Sequence, residues 1–285
     1  MGNPLNINLG HILDMQPSKV SIDSYNYSLK RLKKLMEVKD DGLDWLKDSG
    51  KVIEFIDGLA YSHNYKKTFY IAIVSILKLD KNPLMDVYKV KMDEYNHKQA
   101  EIYEEQRLST TEQEKFMDWK DILKVQRTMD KGTLEHLLVS LYTLQSPMRL
   151  DYCSMKVVNA HPDTKDGNYL VMNDKPYFIF TQYKTAKRYG VVIKEVPKAL
   201  IIVFKRYFKG HPTDVLFPMT ESAFSKLIGD VFEKHTTKRV TCNILRHSYV
   251  SHIKRNDKTI KEQIKLSKDM LHSVSMSDVY RRVNV

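Results

Sequence analysis

The chain has two cysteines in 285 residues, Cys153 and Cys242, and neither has a neighbour at metal-ligand spacing. A disulfide scaffold and a cysteine metal centre are therefore excluded as organising devices, and free thiols in a reducing compartment are expected. Long apolar runs are also missing. The longest, Phe69–Leu77, is far too short to span a bilayer, so no membrane partner is expected. No basic, apolar, small-residue signal opens the chain, and no internal repeat or low-complexity tract appears. Nor do His, Cys, Asp and Glu gather into a ligand set, so neither a metal nor another cofactor is expected.

What remains is a chain of ordinary globular composition, 42% hydrophobic and 28% charged, with a net charge of +11. The charge is unevenly spread. Residues 1–105 hold 15 Lys and Arg against 16 Asp and Glu, a net of −1, and the rest hold 31 against 19, a net of +12. A field of that sign over one part of a chain attracts polyanions.

The first third reads as helical. Residues 1–20 are polar with scattered apolar positions and read as a loose arm. From Ser24 a stripe of Leu29, Leu32 and Met36 is surrounded by Lys30, Arg31, Lys33 and Lys34. A helical run over Val52–Leu59 follows Gly50, read as a stop. Another, Ser62–Leu77, starts at a Ser cap, and Asn82-Pro83 opens a fourth that runs into the charged stretch Lys98–Arg107. No strand pattern intervenes, so residues 21–107 read as a domain of four or five helices. Leu108–Lys115 lacks apolar periodicity and reads as a linker.

Residues 116–285 mix periods. Phe116–Met129 and Thr133–Leu144 have helical spacing, the second behind a Thr cap. Between Met155 and Pro197, segments Lys156–Val158, Tyr169–Met172, Tyr177–Tyr183 and Gly190–Val196 are β-branched or aromatic and are separated by turn residues. They read as a small antiparallel sheet, with Lys184 at a hairpin tip close to Lys187 and Arg188. Helices resume at Lys198–Lys209 and Glu221–Lys234, and Lys234–Arg239 reads as an exposed basic loop in which Lys238 and Arg239 can touch phosphate. The class is mainly α with a small antiparallel sheet, that is α+β.

The last stretch, Thr241–Val285, holds ILRHSYVSHI and then DMLHSVSMSDVY. Asn243 and Arg246 lie three apart on one helical segment, and His272 and Tyr280 come later. These segments resemble the C-terminal half of the tyrosine recombinases, the phage-integrase family, whose signature there is His-x-x-Arg-His-Ser, then Leu-Gly-His-Ser, then a Tyr nucleophile. Two upstream elements match in order: an Arg after a helix, in SPMRLDYCSM, and a Lys in a hairpin, in FTQYKTAKRYGVVI. The resemblance covers residues 116–285, and over the N-terminal third it rests on architecture alone.

The resemblance implies a site-specific recombinase or integrase, encoded by a virus or mobile element, that cleaves and rejoins DNA through a 3′-phosphotyrosyl bond. Tyr280 would attack, Arg149 and Arg246 would clamp the phosphate, and His272 would add a hydrogen bond to it. Lys184, with Lys187 as runner-up, would protonate the 5′-hydroxyl leaving group, and Asp151 would brace the site. The partner would be double-stranded DNA, bound by a homotetramer on paired sites that is a monomer or dimer when free. KRLKK, with Lys30, Arg31, Lys33 and Lys34, and also Arg188, would face the duplex. The protein would work inside a cell at its DNA: the cytoplasm of a prokaryote, or the nucleus or viral factory of a eukaryotic host.

Two departures stand out. Asn243 takes the place of the signature's first His, so a base there is lost unless His247 or water replaces it. His272 and Tyr280 are eight residues apart, one fewer than the pattern. A type IB DNA topoisomerase, which shares the fold and chemistry, is the nearest alternative. A DNA-binding module that has lost catalysis is the second.

Overall fold

The computed structural model describes residues 19–39, 42–254, 259–271 and 280–281. The chain divides into two compact units, Met1–Glu105 and Gln106–Val285.

In the first unit, helices α1 (Lys19–Leu35), α2 (Ser49–Gly58), α3 (His63–Leu79) and α4 (Met85–Glu104) accompany a 3₁₀ turn at Asp44–Lys47. Gly50 is not a stop: α2 begins at Ser49, because the Asp48 carboxylate accepts from Lys51 N and starts the helix ahead of the glycine. Ser62 caps α3 through Tyr65 N. Helix α3 buries Phe69, Tyr70, Ile73, Val74 and Leu77, so it forms the centre of the bundle. Each such side chain contributes about 1.5–3 kcal/mol when fully buried. Tyr70 and Tyr95 both donate to Asp57 Oδ1, at 2.7 and 2.9 Å, which ties α2, α3 and α4 together.

The second unit holds α5 (Thr110–Lys115), α6 (Trp119–Thr128), α7 (Leu134–Thr143), β1 (Met155–Val158), β2 (Tyr169–Val171), β3 (Tyr177–Phe180), α8 (Ala186–Tyr189), β4 (Val192–Glu195), α9 (Lys198–Gly210), β5 (Val215–Leu216), α10 (Glu221–Thr236), α11 (Cys242–Lys254) and α12 (Ile260–Asp269). Helix α7 is buried on every side from His136 to Thr143, as a central helix must be. No described helix is long and apolar enough to cross a membrane.

The sheet order is β4-β3-β2-β1-β5. It is mixed rather than antiparallel, which corrects the sequence expectation. β1 and β2 run parallel, with Lys156 opposite Tyr169, because the long connection 159–168 carries the chain back to the end from which β1 started. β5, not foreseen, pairs antiparallel with β1 on the other side. The remaining pairs, β2–β3 and β3–β4, are antiparallel. Two loop readings also change. Residues 110–115 form a helix because Ser109 and Glu112 make a reciprocal capping box. Lys184 lies on a broad β3–β4 connection containing α8, not on a tight turn.

Candidate functional site

The Ser146-Pro147 break after α7 places Arg149 on a turn anchored from below. Tyr142, fully buried in α7, donates its hydroxyl to the Arg149 carbonyl at 2.6 Å, and Arg149 N donates to Asp151 Oδ2 at 3.1 Å. Burial pushes the Asp151 carboxyl up, while the charges of Arg149 and Arg246 draw it back. Asp151 therefore senses both arginines.

A cavity of about 740 Å³ opens beside this turn. Arg149, Asp151, Lys184 and Asn243 all line it, together with Asn168, Gln182, Lys156 and Glu221. Arg149 is half-buried, and Lys184 and Asn243 are exposed. Asn243 stands in the first turn of α11, and Thr241 Oγ1 accepts from Ile244 N at 3.4 Å. The positive end of that helix thus faces the cavity beside Arg149 and Lys184, while Asp151, Asp166 and Glu221 line the same cavity and Lys156 pairs with Asp166.

Asn168 is a site residue that sequence reasoning passed over. Its Nδ2 donates to the Asp151 carbonyl (3.0 Å) and to the Gln182 carbonyl (2.8 Å). Its Oδ1 accepts from Thr181 N (3.0 Å) and Gln182 N (2.9 Å). One side chain thus clasps the Arg149 turn to the strand end that carries Lys184. The only signal was its place after the Asp166-Gly167 turn.

Arg246, His247 and Tyr280 form a second, buried group. Arg246 does not line the cavity and is 0% exposed. Its Nη1 donates to the Pro147 carbonyl at 2.9 Å and the Met270 carbonyl at 3.5 Å. Its Nε and Nη2 have no hydrogen-bond partner among the described residues. Tyr280 is 7% exposed, and its ring centroid lies 4.5 Å from the Arg246 guanidinium carbon. His247 Nδ1 donates to the Tyr280 carbonyl at 2.8 Å, while Nε2 faces Glu112 Oε1 at 3.6 Å. Glu112 comes from α5, the stretch read as a linker.

The two groups are joined. Asn243 and Arg246 lie on the same helix, and the carbonyl that Arg246 holds belongs to Pro147, two residues before Arg149. Cys242 is packed at this junction, its thiol donating to the Met148 carbonyl at 3.2 Å; burial pushes that thiol up to about 11.

The other sequence candidates fall elsewhere. His272 lies outside the described residues. Lys187 and Arg188 are exposed on α8 and do not line the cavity, and Arg188 lies over the Tyr189 ring at 5.3 Å. The reading of Lys234–Arg239 as a free basic loop changes, since α10 runs to Thr236 and both basic residues beyond it are tied down. Arg239 pairs with Asp230 and Glu233, each at 2.6 Å, and Lys238 Nζ donates to the Phe116 carbonyl. In the first unit Lys30 and Lys34 are exposed, Lys33 donates to the Gly42 carbonyl, and Arg31 sits over the rings of Tyr61 and Tyr65.

No family model matches this chain, and neither does any curated protein sequence. Among solved structures it is similar to a XerA recombinase, with 17% identity and a TM-score of 0.39 over 97% of this chain and 91% of that one. A likeness of this size fixes neither family nor activity.

Proposed function

We propose that this protein breaks and rejoins DNA strands through a phosphotyrosine intermediate formed by Tyr280. The observation that carries the reading is Arg246: a guanidinium 0% exposed, with two donors unmatched among the described residues, lying against the ring of a tyrosine. A buried charge with unmatched donors is costly, each unmatched donor by about 1–3 kcal/mol. A phosphate oxygen would satisfy both the charge and the donors at once.

In this mechanism the Tyr280 oxygen attacks a backbone phosphorus and the bond to the 5′-oxygen breaks. Arg149 and Arg246 offset the negative charge that builds on the non-bridging oxygens. Asn243 donates a further hydrogen bond, and His272 a second. Lys184 delivers its proton to the departing 5′-oxygen, giving a free hydroxyl. His247 Nδ1 is committed to the Tyr280 carbonyl and Nε2 faces Glu112, so the phenolic proton goes to water. Rejoining is the reverse, and the energy of the broken bond is kept in the phosphotyrosine. Asp151 acts through Arg149 as a positioning residue. The partner is double-stranded DNA, and a tetramer on paired sites is the assembly this chemistry would use for strand exchange.

The test is to mix the protein with supercoiled plasmid and with nicked duplexes from its own genome, denature, and look for a protease-sensitive shifted band. The proposal expects the band from wild type and not from Tyr280→Phe, with DNA affinity unchanged. Dependence on one DNA sequence would assign a recombinase, and indifference to sequence a topoisomerase. DNA binding with no band on any substrate would leave a binding module and overturn the proposal.

A further inference from the structure

Strand β4 breaks its own pattern. In Val192-Ile193-Lys194-Glu195 the apolar Ile193 is 59% exposed while Lys194 turns inward. By register Lys194 lies opposite Phe178, a residue of the main core. A strand following hydrophobicity alone would bury an apolar side chain at that position. The inversion places an ammonium where it loses water, and that burial lowers its pKa to about 8.

The ammonium has a destination. Lys194 Nζ donates to the Asp269 carbonyl at 3.3 Å. The next carbonyl, Met270, takes Arg246 Nη1 at 3.5 Å, and the one after, Leu271, takes Thr185 Oγ1 at 3.1 Å. Three consecutive carbonyls at the C-terminus of α12 are therefore held from three places: β4, α11 and the β3–β4 connection. Two of the donors are cations at the negative end of a helix, where they are favoured. The turn they hold is strained, since Leu271 has φ of 52° in the left-handed region that side chains other than glycine seldom adopt.

Thr185 comes directly after Lys184, and Leu271 directly precedes residue 272. We propose that Lys194 and Thr185 are positioning residues that lock the Lys184 connection to the end of α12, so that the general acid and the Asp269–Leu271 turn are set as one unit. The catalytic part of this inference rests on the function proposed above. The mechanical part does not: loosening either donor frees both segments together.

Lys194→Met, Lys194→Arg and Thr185→Val separate the two parts. Amide hydrogen exchange in the full chain is expected to rise in both 181–191 and 266–271 for Lys194→Met and for Thr185→Val, with the sheet core unchanged. Lys194→Arg should restore protection, because it keeps a cation within reach of the carbonyls. Single-turnover adduct formation should fall about tenfold or more in the Met and Val variants while DNA affinity holds, as expected when a reacting group is misplaced rather than removed. Exchange that rises only around the mutated residue, or an unchanged adduct rate in variants that do show the paired rise, would overturn the proposal. A wild type that forms no adduct at all would overturn the function above, and the exchange result would still decide the coupling. Should Lys194→Met fail to fold, Thr185→Val, which removes only a half-buried hydroxyl, carries the same test.

Discussion

The ring of Tyr280 lies over the guanidinium of Arg246, with 4.5 Å between ring centroid and guanidinium carbon, although 34 positions separate them in the chain. Both are buried, and Arg246 is anchored on the side of Pro147 and Met270. The pair places a candidate nucleophile against a cation with two donors unmatched among the described residues.

That arrangement predicts stabilisation by anions. Millimolar sulfate or phosphate should raise the melting temperature of wild type, since an anion that binds only the folded chain stabilises it by mass action. Arg246→Met should lie within about 2 kcal/mol of wild type without anion, because removing a buried charge offsets the lost hydrogen bonds. It should also gain much less from sulfate. Equal gains in both proteins would show that the anion binds elsewhere.

Asn168→Ala removes four side-chain hydrogen bonds, one to the Asp151 carbonyl of the Arg149 turn and three to Thr181 and Gln182 just after β3. A loss of about 3 kcal/mol is expected in urea denaturation, the sum of four modest net contributions. Adduct formation should fall further than stability alone explains, since Arg149 and Lys184 would no longer share one clasp. A loss below about 1 kcal/mol would mean that water replaces the amide well.

Thiol chemistry offers a simple check on the packing of the cavity wall, which includes both cysteines. Cys242 is buried, with its thiol pushed up to about 11, while Cys153 is half-buried and its thiol is also raised by burial. Thiol reagents at pH 8 should therefore modify Cys153 slowly and Cys242 only after unfolding. Rapid reaction of both thiols in the folded chain would contradict the packing of Cys242 against Met148.

The pH dependence of stability isolates Lys194. Its folded pKa of about 8 lies below the unfolded value, so the unfolded chain binds more protons between them. The penalty for the buried ammonium is complete below about pH 8 and is relieved as pH rises towards about 10.4, by about 3 kcal/mol in all. Wild type should therefore gain stability relative to Lys194→Met from pH 8 to 10 in paired urea titrations. A difference that stays flat with pH would place the ammonium in water.

Much of the fold was legible because it is local. The Ser62 and Thr133 caps, the stripe of Leu29 and Leu32, and the apolar run of α3 each act within a few residues. The direction of β2 beside β1 was not legible, since pairing is settled by where the 159–168 connection returns. In the candidate site, Arg149, Lys184 and Asn243 line one cavity, but the spacing of Asn243 and Arg246 concealed that one is exposed and the other wholly buried. That difference depends on Pro147 and Met270, contacts that no periodicity records. Asn168, Thr185 and Lys194 were missed for the same reason: their partners lie many residues away. Leu271 takes the left-handed conformation, which tertiary contacts rather than local preference must hold.

The most direct measurement is to trap the covalent product on a nicked duplex, digest protein and DNA, and identify the modified peptide by mass spectrometry. The account predicts one nucleotide-bearing residue, Tyr280, joined through a 3′-phosphate. A nucleotide on any other residue, or a cleaved duplex with no modified peptide, would contradict it.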